Sequence, residues 1–222
     1  MFRELLNLVA EIFYPTRCLN CKKALTDRGV LCPVCRCILE RKEFYRGEDY
    51  ACPHLEGFYL FYDYSGALRE ALLQAKFYNK RMFVERLARE MKNLSWGELE
   101  KRWSLEKNVL VVPIPTDKER AKARGFDVPQ EIFNPWCNKE NLELRGCLER
   151  IKASLPQFGL NKRQRKANVK GCWQVRESVE NRQILLVDDI FTSGATMNEA
   201  ARCLKEAGAA QVYGLALTGG KK

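Results

Sequence analysis

No apolar run in this 222-residue sequence approaches the ~20 residues that a membrane-spanning helix needs. The longest strand-like runs are VLVV and ILLV, so no transmembrane segment is expected. The opening MFRELLNLVAEIF has apolar residues at helical spacing but is interrupted by Glu4 and Glu11. It lacks the charged start, apolar centre and small-residue cleavage site of a secretory leader, and reads as a docking helix on a cytoplasmic protein. Neither G-x4-GK[ST] nor G-x-G-x-x-G occurs, which excludes the triphosphate loop and the dinucleotide fingerprint. Histidine is nearly missing: His54 stands alone, so the commonest proton-transfer side chain is scarce.

Positive charge and cysteine are present in excess. A net charge of +10 favours phosphorylated or nucleic-acid partners. Ten cysteines suggest disulfides in a secreted chain, but clustered cysteines in a cytoplasmic one point to metal. Cys18-x2-Cys21 and Cys32-x2-Cys35, ten residues apart, form a paired knuckle. Two such turns complete the tetrahedron that zinc prefers and leave no position for water, so the expected Zn2+ is structural. Cys37, Cys52 and His54 are the alternatives that could replace one of these ligands or support a second site. Cys137, Cys147, Cys172 and Cys203 are scattered and read as small buried apolar residues.

The texture of the chain changes near residue 56. Residues 1–56 read as an N-terminal helix and zinc-binding module, and residues 57–222 as an α/β domain. GFYLFYDY, NVLVVPIP, ILLVDD and QVYGLALT have strand character. SGALREALLQAKF, with Ser65 as N-cap, and KRMFVERLAREMKNL are amphipathic helices. ATMNEAARCLKEAGA is another helix, closed by Gly208. The strand, helix, strand succession implies a parallel sheet, whose ligands gather at the carboxyl ends of the strands. VVPIP and LVDDI both end at that edge.

ILLVDDIFTSGAT, residues 184–196, joins two adjacent acids to a run of small hydroxyl residues. At a strand-to-helix junction, free N–H groups, the helix dipole and the hydroxyls of Thr192, Ser193 and Thr196 suit a monophosphate. Gly194, followed by Ala195, permits close backbone approach. Taken alone, TSGAT is equally an ordinary capped helix start. A receiver domain also places two acids after a strand, but only 33 residues follow Asp189. Carboxylates at Asp188 and Asp189 suit vicinal hydroxyls, so the pair of features together points to a ribose 5-phosphate.

The thirteen residues closely resemble the PRPP-binding motif of type I phosphoribosyltransferases, PRPP being phosphoribosyl pyrophosphate. The wider order of four cysteines, YSGALREALLQAKF, PIP…RGF, Gln157-x2-Leu160-x4-Arg165-x2-Asn168 and the acid motif resembles the competence protein ComF family. That resemblance runs over nearly the whole chain. It implies a type I phosphoribosyltransferase-like parallel sheet flanked by helices, with a small N-terminal zinc-binding module. It also implies Mg2+ with PRPP, and a role in natural DNA uptake or in an unassigned PRPP-linked reaction. By position, Arg120, Lys122 and Arg124 match a pyrophosphate-binding arm, and Lys76, Gln157, Arg165 and Asn168 match other recurrent positions. The implied catalytic set is Asp188, Asp189, Lys76, Arg120, Arg124 and Arg165, with Thr192 to Thr196 holding the phosphate.

Two positions depart from the family: Asp127 replaces the Asn of Arg-Gly-Phe-Asn, and Asn79 stands where Gly is common. The run Lys162, Arg163, Arg165, Lys166, Lys170 reads as a solvated face or as a mobile cover for pyrophosphate. Similar purine-salvage enzymes carry an acid where Thr192 stands, so purine salvage is not expected. Two classes remain. One is an enzyme transferring phosphoribosyl to an unidentified acceptor. The other is a PRPP-sensing or single-stranded-DNA-handling accessory of the competence machinery, with Trp136 and Trp173 as base-stacking residues unless they belong to the core.

Overall fold

The computed structural model describes residues 15–26, 29–78, 80–152 and 161–220. The expected N-terminal helix, Asn79, Gln157 and Leu160 lie outside them. In chain order the first elements are α1 (Pro33–Leu39), β1 (Glu40–Arg46), β2 (Gly57–Asp63), α2 (Gly66–Phe77), α3 (Arg81–Met91) and α4 (Trp96–Trp103). Next come β3 (Leu110–Pro113), α5 (Lys118–Arg124), α6 (Val128–Glu140), β4 (Glu143–Leu144) and β5 (Leu148–Arg150). The chain then forms α7 (Lys162–Val169), β6 (Trp173–Val175), β7 (Gln183–Phe191), α8 (Ala195–Glu206) and β8 (Gln211–Gly219).

Six strands form one sheet in the order β1-β2-β8-β7-β3-β4, parallel throughout except for β1 against β2. The central strands carry long apolar runs, ILLV in β7 and LVV in β3, because helices cover both faces. Leu185 and Val187 of β7 pack into a core with α2, α3, α4 and α6, while Ile184 and Leu186 face α8 and the β5–β6 pair. Strand β1, ERKEFYR, is polar and half-exposed, as suits an edge. Residue 56 falls just ahead of β2, so chain from both sides of it shares one layer. Cys18, Cys32 and Cys35 are buried in the same core as Tyr59 and Leu87. Among the described residues no helix is long and apolar enough to cross a membrane.

A buried carboxylate joins the cysteine segment to the rest. Glu90 of α3 is fully buried; its Oε1 accepts from the backbone N–H of Val30 (2.7 Å) and Leu31 (3.0 Å). Its Oε2 accepts from Arg36 Nε (2.8 Å) and the Tyr62 hydroxyl (3.3 Å). One turn earlier, Arg86 donates to the carbonyls of Gly29 (2.9 Å) and Arg17 (2.7 Å). A charge in the interior survives only when so fully bonded.

Candidate functional site

The carboxyl ends of β3 and β7 open on a cleft of about 760 Å3. Lys76, Arg120, Arg124, Arg165, Asp188, Asp189, Thr192 and Thr196 all line it, although they come from four separate stretches of chain. Ser193, Gly194 and Ala195 are not part of the wall: they form the turn behind it, where Ser193 Oγ meets the Ala195 N–H at 3.5 Å. Lys122 and Asn168 do not line the cleft. Trp173, a base-stacking candidate in the sequence, lines it as a buried side chain; Tyr64, Arg69, Phe77, Thr116 and Arg150 line it too, and sequence reasoning gives those five no site role. Arg69 stands seven residues before Lys76, two helical turns, which is a usable signal. The other four have no local one.

The acids lie inside β7, which runs on to Phe191, and not in the loop after it. Asp189 is 2% exposed; its Oδ1 accepts from Lys76 Nζ at 2.7 Å, and its Oδ2 is buried with no protein partner. Asp188 turns to its own strand, accepting from the Asp189 N–H at 2.8 Å. Burial pushes the Asp188 carboxyl well above the usual range, and the neighbouring Asp189 charge adds to this, while Lys76 opposes it. Burial works against the Lys76 ammonium, but the two carboxylates outweigh it and hold its pKa above the ordinary lysine value. Lys76 is thus a fixed cation at the floor of the cleft.

Gly194 caps α8 in the left-handed region, at φ +76°. A Cβ placed there would lie 2.3 Å from Cys52 Sγ and 2.8 Å from Phe191 Cζ. Cys52 therefore sits directly behind the TSGAT turn. Burial pushes its thiol up to about 11, with Lys166 pulling the other way, so it is a packing group and not a nucleophile at neutral pH.

The basic arm is braced at its base. Asp127 Oδ2 accepts from both the N–H and the hydroxyl of Thr116, each at 2.8 Å, and Arg124 donates to the same hydroxyl at 3.2 Å. Burial raises the Asp127 carboxyl despite the Thr116 bonds. The aspartate at this position thus ties the PIPT turn to the start of α6.

Cys18, Cys21, Cys32 and Cys35 bring their sulfur atoms within 4.8 Å of one another. The sulfur atoms of Cys21 and Cys32 are 3.6 Å apart. Zinc at about 2.3 Å from each thiolate requires edges of about 3.8 Å, so the donor set fits. Cys37 is exposed and outside the cluster, Cys52 backs the TSGAT turn, and the backbone N–H of His54 bonds Asn198 at 3.1 Å. Burial opposes ionisation of Cys18, but backbone N–H groups of Cys21, Cys32 and Asn20 bring it down to about 6. At Cys35 the Asn20 amide favours the thiolate, but burial and the other three thiols push it up to about 12. Four thiolates this close need a cation to lose all their protons. Purified protein is expected to hold one zinc per chain by atomic spectrometry, and Cys35→Ser to lower both zinc content and melting temperature. Full-length protein free of any thiophilic metal would refute that. The scattered Cys137, Cys147, Cys172 and Cys203 are all buried.

A parallel sheet covered on both faces, with an acid pair and a glycine-opened helix start meeting at its carboxyl edge, defines an α/β protein of phosphoribosyltransferase-like class. Residues 82–218 match the phosphoribosyl transferase domain, and the chain belongs to that family. Competence protein F of Haemophilus influenzae is 26% identical over 153 residues, which is 65% of this chain and 66% of that protein. Competence protein ComFC of Bacillus subtilis is 35% identical over 113 residues, 47% of this chain and 42% of that protein. DNA utilization protein YhgH of Escherichia coli is 25% identical over 208 residues, 88% of this chain and 86% of that protein. The chain is distantly homologous to the two competence proteins, and its matches span two thirds or less of their length.

Proposed function

We propose that the cleft binds PRPP with Mg2+ in the cytoplasm and transfers the phosphoribosyl group to an acceptor, releasing pyrophosphate, in support of DNA uptake. The observation that carries this is Asp189, anchored at one oxygen by Lys76 while the other is buried and lacks a donor. A ribose hydroxyl supplies that donor. The opening of α8, with Thr192 and Thr196 on the cleft wall, then receives the 5-phosphate. Transfer builds positive charge on the ribose and negative charge on the leaving pyrophosphate. Asp188 and Asp189 face the first; Lys76, Arg120, Arg124 and Arg165 face the second, and preorganised charge of this kind is the main catalytic lever. Mg2+, when bound, neutralises pyrophosphate oxygens and keeps most of its contacts to the ligand and water. The relatives, two competence proteins and a DNA utilization protein, support the biological setting.

Calorimetry with Mg-PRPP tests the reading. Wild type is expected to bind, and Asp189→Asn to bind about 10- to 100-fold more weakly, the range for losing a charged hydrogen bond. No binding by wild type would refute it. Pyrophosphate release on adding an acceptor marks the transferase. A second reading, a non-catalytic PRPP sensor that handles single-stranded DNA with competence-machinery partners, is favoured by one feature. Phe77, on the cleft wall, and its neighbours Tyr78 and Met82 are exposed, at 66%, 66% and 57%. Exposed aromatics among cations suit unpaired bases. PRPP binding without turnover, together with DNA binding that falls steeply with salt, would select that reading.

A further inference from the structure

Strands β5 and β6 bring two residues to the cleft that ribose and pyrophosphate chemistry leaves unused. Arg150 and Trp173 are direct partners in the register of this two-stranded sheet. The Arg150 guanidinium lies over the Trp173 ring, 5.4 Å from its centre. Trp173 is only 4% exposed, yet its Nε1 is buried with no acceptor in the protein. A buried indole N–H ordinarily finds a partner. Arg165 Nε, on the same cleft, is also buried and unpartnered. The nearby carboxylate of Glu149 cannot serve either, because Lys118 and Arg176 already hold it.

Both unmet groups are donors, and a fixed guanidinium lies beside one of them. A neutral nucleobase is a poor match: the Arg150 guanidinium covers a face of the Trp173 ring, and a neutral ring brings no charge to pair with that guanidinium. An oxygen-rich anion offers acceptors to such donors and charge to the guanidinium beside them. We propose that Trp173, Arg150 and Arg165 form an oxyanion subsite for the acceptor, and that the acceptor carries a carboxylate or phosphate beside its nucleophile. This rests on the phosphoribosyl reading above. In the transfer, a lone pair of the acceptor's nucleophile forms the bond to the anomeric carbon. The bond from that carbon to pyrophosphate breaks, its electron pair leaves on pyrophosphate, and any proton on the nucleophile passes to water. Arg165 contributes its Nε here and keeps its terminal nitrogens for pyrophosphate.

Matched probes test the subsite on full-length protein loaded with Mg-PRPP, followed by calorimetry and by tryptophan fluorescence. Nicotinate and orotate carry a carboxylate; nicotinamide and uracil are their uncharged counterparts; inorganic phosphate is the third class. At least one oxyanion probe is expected to bind tenfold or more tighter than the neutral compounds. Trp173→Phe, which keeps a ring but removes the N–H, and Arg150→Gln should each weaken that probe at least tenfold. The loss should exceed any change in PRPP affinity measured alone. Preference for phosphate over both carboxylates assigns a phosphorylated acceptor, and the reverse assigns a carboxylic one. Equal binding of nicotinamide and nicotinate, or of uracil and orotate, would overturn the proposal. So would variants that weaken PRPP more than the probe, which would hand these residues to pyrophosphate. Wild type that binds no PRPP sinks the functional reading itself; Trp173-dependent carboxylate binding to the free protein would still uphold the subsite.

Discussion

Gly194→Ala is expected to lower the melting temperature by on the order of 10 °C and to weaken Mg-PRPP by about tenfold or more. Two costs add. The left-handed backbone at φ +76° charges any side chain about 1–2 kcal/mol. The new methyl would also overlap Cys52 Sγ, 2.3 Å away, and Phe191 Cζ, 2.8 Å away, and overpacking of this kind costs about 1–3 kcal/mol. Phe191 cannot retreat cheaply, since it stacks on Phe58 with ring centres 4.2 Å apart. The turn must shift instead, and with it the N–H groups that face the cleft. A double variant separates the two costs. Adding Cys52→Ala removes the sulfur and should restore the packing share while leaving the backbone share. Scanning calorimetry reads both, and a Gly194→Ala protein that melts with wild type would contradict the geometry.

Glu90→Ala should cost about 3–5 kcal/mol and loosen the zinc cluster as well. The carboxylate accepts five hydrogen bonds, two of them from Arg36, and its loss strands the N–H groups of Val30 and Leu31 in the core. Those residues lead directly into Cys32, so the cysteine knuckle is oriented by a helix that follows it by some sixty positions. Chelator stripping of zinc, followed with a colorimetric dye, is expected to run at least about tenfold faster in the variant. Unchanged stripping together with an unchanged melting curve would show that the cysteine segment needs no such anchor.

The elements that announce themselves in the sequence are those with one dominant physical cause. ILLV and VLVV read as strands because a sheet covered on both faces needs unbroken apolar runs. The helix after TSGAT shows in its apolar spacing and in Gly208, which does take a positive φ of +93° to close it. What stays hidden depends on distant partners. Strand β1 is a string of charges and tyrosine with no strand pattern of its own, and only pairing with β2 makes it one. Helix α6 carries Pro129 in its first turn and Pro135 within, which mask its period. Asp127 looks like a departure from a motif; its bonds to Thr116 span eleven residues and leave no local trace. Arg150 and Trp173 meet only because two short strands pair across an intervening helix. The acids, hydroxyls and cations of the cleft were legible as chemistry before their arrangement was.

Strand order has a consequence for how the chain acquires this shape. β8, the last strand of the described chain, lies between β2 and β7 and pairs with both. Until it arrives, the sheet is two separate flaps with raw edges facing each other. Such long-range closure makes folding slow and exposes the open edges to wrong pairing while the chain waits.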